Sequence, residues 1–225
     1  VLVLVIAILG FVVWLQLRPR AASMSAVRLS LGLPEGVTLH RNWHPFEHIA
    51  LSPDGQYLAF AATDASGQSS LWIRPLDSSV AQHVERSEGA LLPFWSPDSQ
   101  FIGFWAGGQL RKVRASGGVP EAIYSVPEIA QGAWGTDGTI LFARAVNSPI
   151  LRVAPAGGRA TPVTSLRPGE VSQMWVQFLP DGKHFIYLAR TSLTSDDPGA
   201  KVYAQSLDGG APIPLLESQS RAMAV

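Results

Sequence analysis

The sequence predicts an all-β fold, a β-propeller of four-stranded antiparallel blades, and three observations predict it. A short turn is written four times, as Ser52-Pro53-Asp54-Gly55, Ser96-Pro97-Asp98-Ser99, Gly135-Thr136-Asp137-Gly138 and Leu179-Pro180-Asp181-Gly182. Its aspartates are separated by 44, 39 and 44 residues, and a period of about 40 is that of a propeller blade made of four short strands. Bulky residues keep the same register around each turn, so strand, turn and strand recur as one unit.

Each element follows from its residues. Leu51, Trp95, Trp134 and Phe178 stand three residues before the turn aspartates, as expected of an inner strand that buries one large apolar side chain against a neighbouring blade. In the turn, proline presets φ, aspartate bonds nearby amides and glycine takes the exit geometry. Asp54, Asp98, Asp137 and Asp181 are therefore read as turn builders. The second strands are Tyr57-Leu58-Ala59-Phe60, Phe101-Ile102-Gly103-Phe104, Ile140-Leu141-Phe142 and Phe185-Ile186-Tyr187, β-prone runs suited to a sheet buried on both faces. Third strands are expected at Leu71–Ile73, Leu110–Val113, Ile150–Val153 and Val202–Ala204. Ser78-Ser79, Gly117-Gly118, Gly157-Gly158 and Gly209-Gly210 follow as hairpins into outer strands near His83, Ala122, Pro162 and Ile213. Proline is tolerable there because the strand lies at a sheet edge. The blades are thus expected at about 40–85, 86–125, 126–166 and 167–216, with 217–225 beginning another.

Ahead of the repeats, Val1 to Leu17 carries no charge and is apolar apart from Gly10 and Gln16. As a helix it would be ~25 Å long, close to the ~30 Å hydrocarbon core of a bilayer. Arg18-Pro19-Arg20 stops the run abruptly. A transmembrane helix at 1–17 with a tether at 18–26 is expected, the rival being a signal peptide cleaved near Ala21 to Ala26. The arginine flank alone favours a cytoplasmic carboxyl side, but long domains translocate largely regardless of charge, so orientation stays open at this point. Val27-Arg28-Leu29-Ser30-Leu31 alternates like a strand that could complete a last blade and close the ring.

Composition narrows the function classes. The 17 Lys and Arg balance 17 Asp and Glu, and no basic patch interleaved with aromatics offers a nucleic-acid footprint. With no cysteine, disulfide frameworks and thiolate metal sites are excluded. No Gly-x-Ser-x-Gly elbow, phosphate loop or His-Glu-x-x-His is present, so no catalytic residue and no cofactor is assigned. His40, His44 and His48 recur every fourth residue, yet Pro45 opposes the helix that would align them, and no metal site is assigned.

Ala50-Leu51-Ser52-Pro53-Asp54-Gly55, Leu71-Trp72-Ile73-Arg74-Pro75-Leu76-Asp77, Pro93-Phe94-Trp95-Ser96-Pro97-Asp98-Ser99 and Phe178 through Phe185 resemble the WD-like repeats of TolB-type β-propellers. Together with the apolar segment, the chain resembles the propeller that follows a transmembrane helix in receptor-type serine/threonine protein kinases of acidobacteria. That resemblance implies a single-pass protein of the bacterial cytoplasmic membrane with the propeller on the periplasmic or extracellular side. It implies a sensor or protein-interaction module whose ligand is a protein, peptide or small molecule. Similar propellers gate serine peptidases or act as periplasmic scaffolds, which are the alternatives. Candidate ligand-binding residues lie where the inner strands begin, six residues before each turn aspartate, at His48, Leu92, Gln131 and Trp175, with Glu47 and Gln173 beside them.

Overall fold

A computed structural model describes residues 32–39, 48–128, 130–144, 146–194 and 196–218. The expected helix at 1–17, the tether at 18–26, the strand at Val27–Leu31, and His40, His44 and Glu47 lie outside the described residues. Two compact units divide the chain, Val1–Gly32 and Leu33–Val225, and the sheets all belong to the second. Among the described residues no helix is long and apolar enough to cross a membrane.

Four antiparallel sheets follow one another along the chain. The first contains β1 (Thr38–Leu39), β2 (Ile49–Leu51), β3 (Tyr57–Thr63), β4 (Ser69–Pro75) and β5 (Gln82–His83). In the second are β6 (Leu91–Trp95), β7 (Phe101–Ala106), β8 (Gln109–Arg114) and β9 (Glu121–Ser125). The third holds β10 (Ala130–Trp134), β11 (Ile140–Arg144), β12 (Leu151–Val153) and β13 (Thr161–Pro162). The fourth holds β14 (Ser172–Phe178), β15 (His184–Arg190), β16 (Lys201–Ser206) and β17 (Ile213–Glu217). Strand order equals chain order in the last three. In the first sheet the inner edge comes in two pieces, since β1 pairs with Ala62 and Thr63 while β2 pairs with Leu58 to Phe60 of the same strand. The inner strands pack on one another in succession, β2 on β6, β6 on β10 and β10 on β14.

The core lies between sheets, because each strand alternates side chains between its two faces. Leu71 and Ile73 of the first blade meet Trp95, Ile102 and Phe104 of the second. Phe94, Leu110 and Ile123 meet Ile140 and Phe142. Leu141 and Ile150 meet Phe185 and Tyr187. Phe94 sits so tightly that a Cβ on Gly103 or Gly132 would approach its ring to 2.2 or 2.5 Å. Both positions are glycine to admit the ring.

The column of large residues before the turn aspartates divides in an informative way. Trp95 is buried and packs on the first blade, where it meets Tyr57 at 6.3 Å between ring centroids. Trp134, half-buried, stacks on Phe101 of the second blade at 6.0 Å. Phe178, also half-buried, packs with the cluster between the third and fourth blades. Leu51, expected to be buried like the others, is 55% exposed. The reason is geometric: these side chains reach toward the preceding sheet, and no described sheet precedes the first.

Candidate functional site

The antiparallel order gives the sheets two ends. Inner strands run toward the four aspartate turns at one end, and the second-to-third hairpins and the segments entering the inner strands meet at the other. The longest connections, 163–171 and 191–200, lie at the second end, and loops positioned by a rigid scaffold are where binding groups concentrate.

At the turn end, which also holds the third-to-fourth hairpins with Asp77 and Asp208, the four repeat carboxylates are occupied. Asp54, Asp98, Asp137 and Asp181 accept the amides of Gln56, Gln100, Thr139 and Lys183 at 2.9–3.0 Å. Each also takes one side-chain donor: the Ser52 hydroxyl at 2.6 Å, the Ser96 hydroxyl at 2.5 Å, the Thr139 hydroxyl at 2.8 Å and the His184 ring nitrogen at 2.6 Å. The Ser52 hydroxyl and Gln56 amide hold Asp54 below the usual carboxylate range, and the Ser96 hydroxyl and Gln100 amide do the same at Asp98. At Asp181 the His184 amide, then the His184 ring and the Lys183 amide, bring the carboxyl down from 3.8 to about 2. Adjacent turns also touch, since the Asp54 amide donates to the Ser99 hydroxyl at 3.1 Å.

At the loop end the sequence-selected residues separate. His48 is buried just before β2, and Glu47 lies outside the described residues. Gln131 is half-buried on β10, with Oε1 enclosed and without a hydrogen-bond partner among the described residues. Leu92 and Trp175 occupy a different station. Pairing slips between Leu91 and Phe94 and between Met174 and Gln177, each slip inserting one bulge residue. Both Leu92 (φ 54°) and Trp175 (φ 55°) are left-handed there, an uncommon conformation for bulky side chains. Counted by pairing, the residues level with Gln131 are Leu91 and Met174, opposite Trp105 and Leu188 as Gln131 is opposite Ala143. The bulge turns Trp175 onto the cluster of Ile186, Leu188 and Val202.

Gln173 is wholly buried and spoken for. It accepts the Thr164 hydroxyl, and its amide donates to Ser165 O at 3.0 Å and Glu170 Oε2 at 2.9 Å. Through Glu170 it reaches residues the sequence reading missed. The Arg167 amide donates to Glu170 at 3.0 Å and its Nε and Nη2 to Glu170 Oε1. The guanidinium lies over the Tyr203 ring, 3.5 Å from its centroid. Burial opposes the charge on Arg167, but Glu170 outweighs it and raises the pKa. The facing hairpin is fixed by Asp197, 1% exposed, whose carboxylate accepts the Thr191 hydroxyl at 2.6 Å and the Thr191, Ser192 and Gly199 amides at 2.9–3.2 Å. Burial works against the ionised form of Asp197; the Thr191 hydroxyl and the amides win, and its pKa is lowered. Between these walls lies a cavity of about 320 Å³, lined by Arg167, Pro168, Glu170, Thr191, Lys201 and Tyr203 among others. No motif marks it, because pairing of β15 with β16 is what brings Tyr203 under Arg167. Among the described residues no three His, Cys, Asp or Glu side chains are placed to share a metal ion.

No protein-family model and no curated protein sequence matches the chain. Solved structures do. A TolB protein from Agrobacterium tumefaciens superposes with a TM-score of 0.65 at 17% identity, covering 75% of this chain and 64% of that one. The β-propeller domain of the Trilobed protease from Pyrococcus furiosus gives 0.52 at 13% identity, covering 75% and 56%. A Mycobacterium tuberculosis puromycin-hydrolyzing peptidase gives 0.56 at 14% identity, covering 78% and 29%. The chain thus spans less than two thirds of each. At such identities the likeness concerns architecture, and with its four successive antiparallel sheets the chain has the β-propeller fold shared by TolB and these peptidases.

Proposed function

We propose that this chain is a recognition propeller, held outside the bacterial cytoplasmic membrane by the segment Val1–Leu17 and forming the carboxyl-terminal, sensing part of a receptor-type serine/threonine protein kinase. The observation that carries the recognition reading is the loop-end cavity, where polar side chains from two internally hydrogen-bonded segments converge. At the turn end the four repeat aspartates are held by their own turns, and a second cavity of about 320 Å³ lies beside Asp137, lined by Arg152 and Arg159 among others. At the loop end polar side chains line an open cavity on a rigid scaffold. The tether rests on 17 uncharged residues closed by Arg18-Pro19-Arg20. Kinase linkage rests on the resemblance of the repeats alone.

The test has two parts. Reporter fusions after Arg20 in the parent protein should be active only outside the cytoplasm, and upstream coding sequence should carry a glycine-rich loop and a His-Arg-Asp motif. A cytoplasm-only reporter overturns the localisation. A downstream Gly-x-Ser-x-Gly followed by Asp and His, with no kinase motifs upstream, overturns the kinase in favour of a peptidase propeller.

A further inference from the structure

We propose that the cavity between the segment entering β14 and the β15–β16 hairpin is a carboxylate-binding site, in which Arg167 and Lys201 hold the acid and Pro168 and Ala189 carry its apolar stem. The proposal rests on the recognition reading for its context and on local geometry for its chemistry.

Arg167 is placed in advance. Its flat face lies on Tyr203, and Glu170 fixes one edge through Nε and Nη2, so little side-chain freedom remains to be lost on binding. Glu170 is itself held by the Gln173 amide, and its side chain is 6% exposed. The second cation, Lys201, is 42% exposed and pairs at 3.1 Å with Glu217, which is 73% exposed. An exposed pair of this kind contributes ~0–1 kcal/mol, so Lys201 can turn to a ligand at small cost. Nearby, Arg190 and Asp197 lie 3.5 Å apart and cancel. Among the residues lining the cavity Arg167 and Lys201 face one carboxylate, Glu170, so the lining is positive once Lys201 turns from Glu217.

The site favours a monoanion. Arginine's fork suits carboxylate and phosphate alike, but a dianionic phosphate would sit against Glu170 with twice the repulsion. Pro168 and Ala189, with the edge of the Tyr203 ring, supply an apolar wall. A volume of about 320 Å³ is at the small end for ligand sites, which fits a short acid or one acidic side chain of a polypeptide.

The test uses the full 225-residue chain in detergent micelles, titrated with butyrate, with the capped peptide Ac-Ala-Glu-Ala-NH2, with inorganic phosphate and with neutral butyramide, followed by two-dimensional NMR. Saturable shifts around Arg167, Lys201 and Tyr203 are expected with the carboxylates and not with butyramide. Tighter binding of the peptide would identify a polypeptide source, tighter binding of butyrate a free acid. Arg167→Lys and Lys201→Gln should each weaken binding by about tenfold, the scale of one charge-assisted hydrogen bond. If Arg167→Lys fails to fold, Lys201→Gln decides alone. Equal response to butyramide, stronger binding of phosphate, no saturable shift, or unchanged affinity in Lys201→Gln overturns the proposal. Any of these leaves the wider recognition reading to its own test by reporter fusion and coding sequence.

Discussion

The indole N–H of Trp95 donates to the backbone carbonyl of Ala50 at 2.9 Å, tying the inner strand of the second blade to that of the first by a side chain. The same ring is buried among Ala59, Leu71 and Ile73. Trp95→Ala should cost ~3–5 kcal/mol through cavity formation. Trp95→Phe, which keeps most of the apolar contact and loses the donor, should cost less. Chemical denaturation of the two variants checks both the size and the order.

Gly132 is predicted to be intolerant for a steric reason, since its would-be Cβ falls 2.5 Å from the Phe94 ring. Gly132→Ala should destabilise by ~1–3 kcal/mol, the usual penalty of overpacking. Adding Phe94→Leu should recover part of that loss, so that the double variant is more stable than the two single effects summed. A double-mutant cycle measures the coupling.

Ser99 holds φ at 59°, where the other three turns have glycine, and its hydroxyl accepts the Asp54 amide from the neighbouring blade at 3.1 Å. Ser99→Ala keeps the strain and loses the bond, and should cost ~1 kcal/mol. Ser99→Gly loses the same bond but relieves the strain, so it should be the more stable of the two. Thermal unfolding midpoints of the pair decide this.

Acid should loosen the turns. The Asp181 carboxyl is depressed in the folded chain from 3.8 to about 2, so the folded state binds its proton less readily than the unfolded state. Its stabilising contribution is present in full above the unfolded value and is lost as pH falls from about 4 toward 2. Asp54 and Asp98 shift in the same direction. Unfolding midpoints should fall across that window, and Asp181→Asn should flatten the slope. An unchanged slope in the variant would mean that this turn does not carry the linkage.

The repeat was legible because proline, aspartate and glycine have strong local preferences, and all four turns can be placed from residue type alone. The exposure of Leu51 was not, since burial of that column depends on the preceding sheet and no residue of the first blade encodes one. Counting six residues back from the aspartates found Gln131 at its station but misplaced Leu92 and Trp175, because a bulge adds a residue without changing the spacing. For Leu92 a signal existed: Pro93 follows it, and a proline in an inner strand marks interrupted pairing. Trp175 has no such neighbour. The cavity around Arg167 was illegible for another reason, as neither an arginine beside Pro168-Gly169 nor a tyrosine in β16 is unusual until the hairpin brings them together.

Three large side chains of the inner strands reach back, Trp95 onto the first blade, Trp134 onto the second and Phe178 onto the third, while Phe94 of the second blade reaches forward onto Gly132 of the third. At these three boundaries a chain leaving the ribosome brings a plug after its socket, and only Phe94 precedes the glycine that receives it. Each new sheet arrives to find its partner surface already made, and the boundary can close before the next sheet has been synthesised. Consolidation from the amino-terminal side is favoured by the three residues that reach back, and the second boundary is completed when Gly132 receives Phe94.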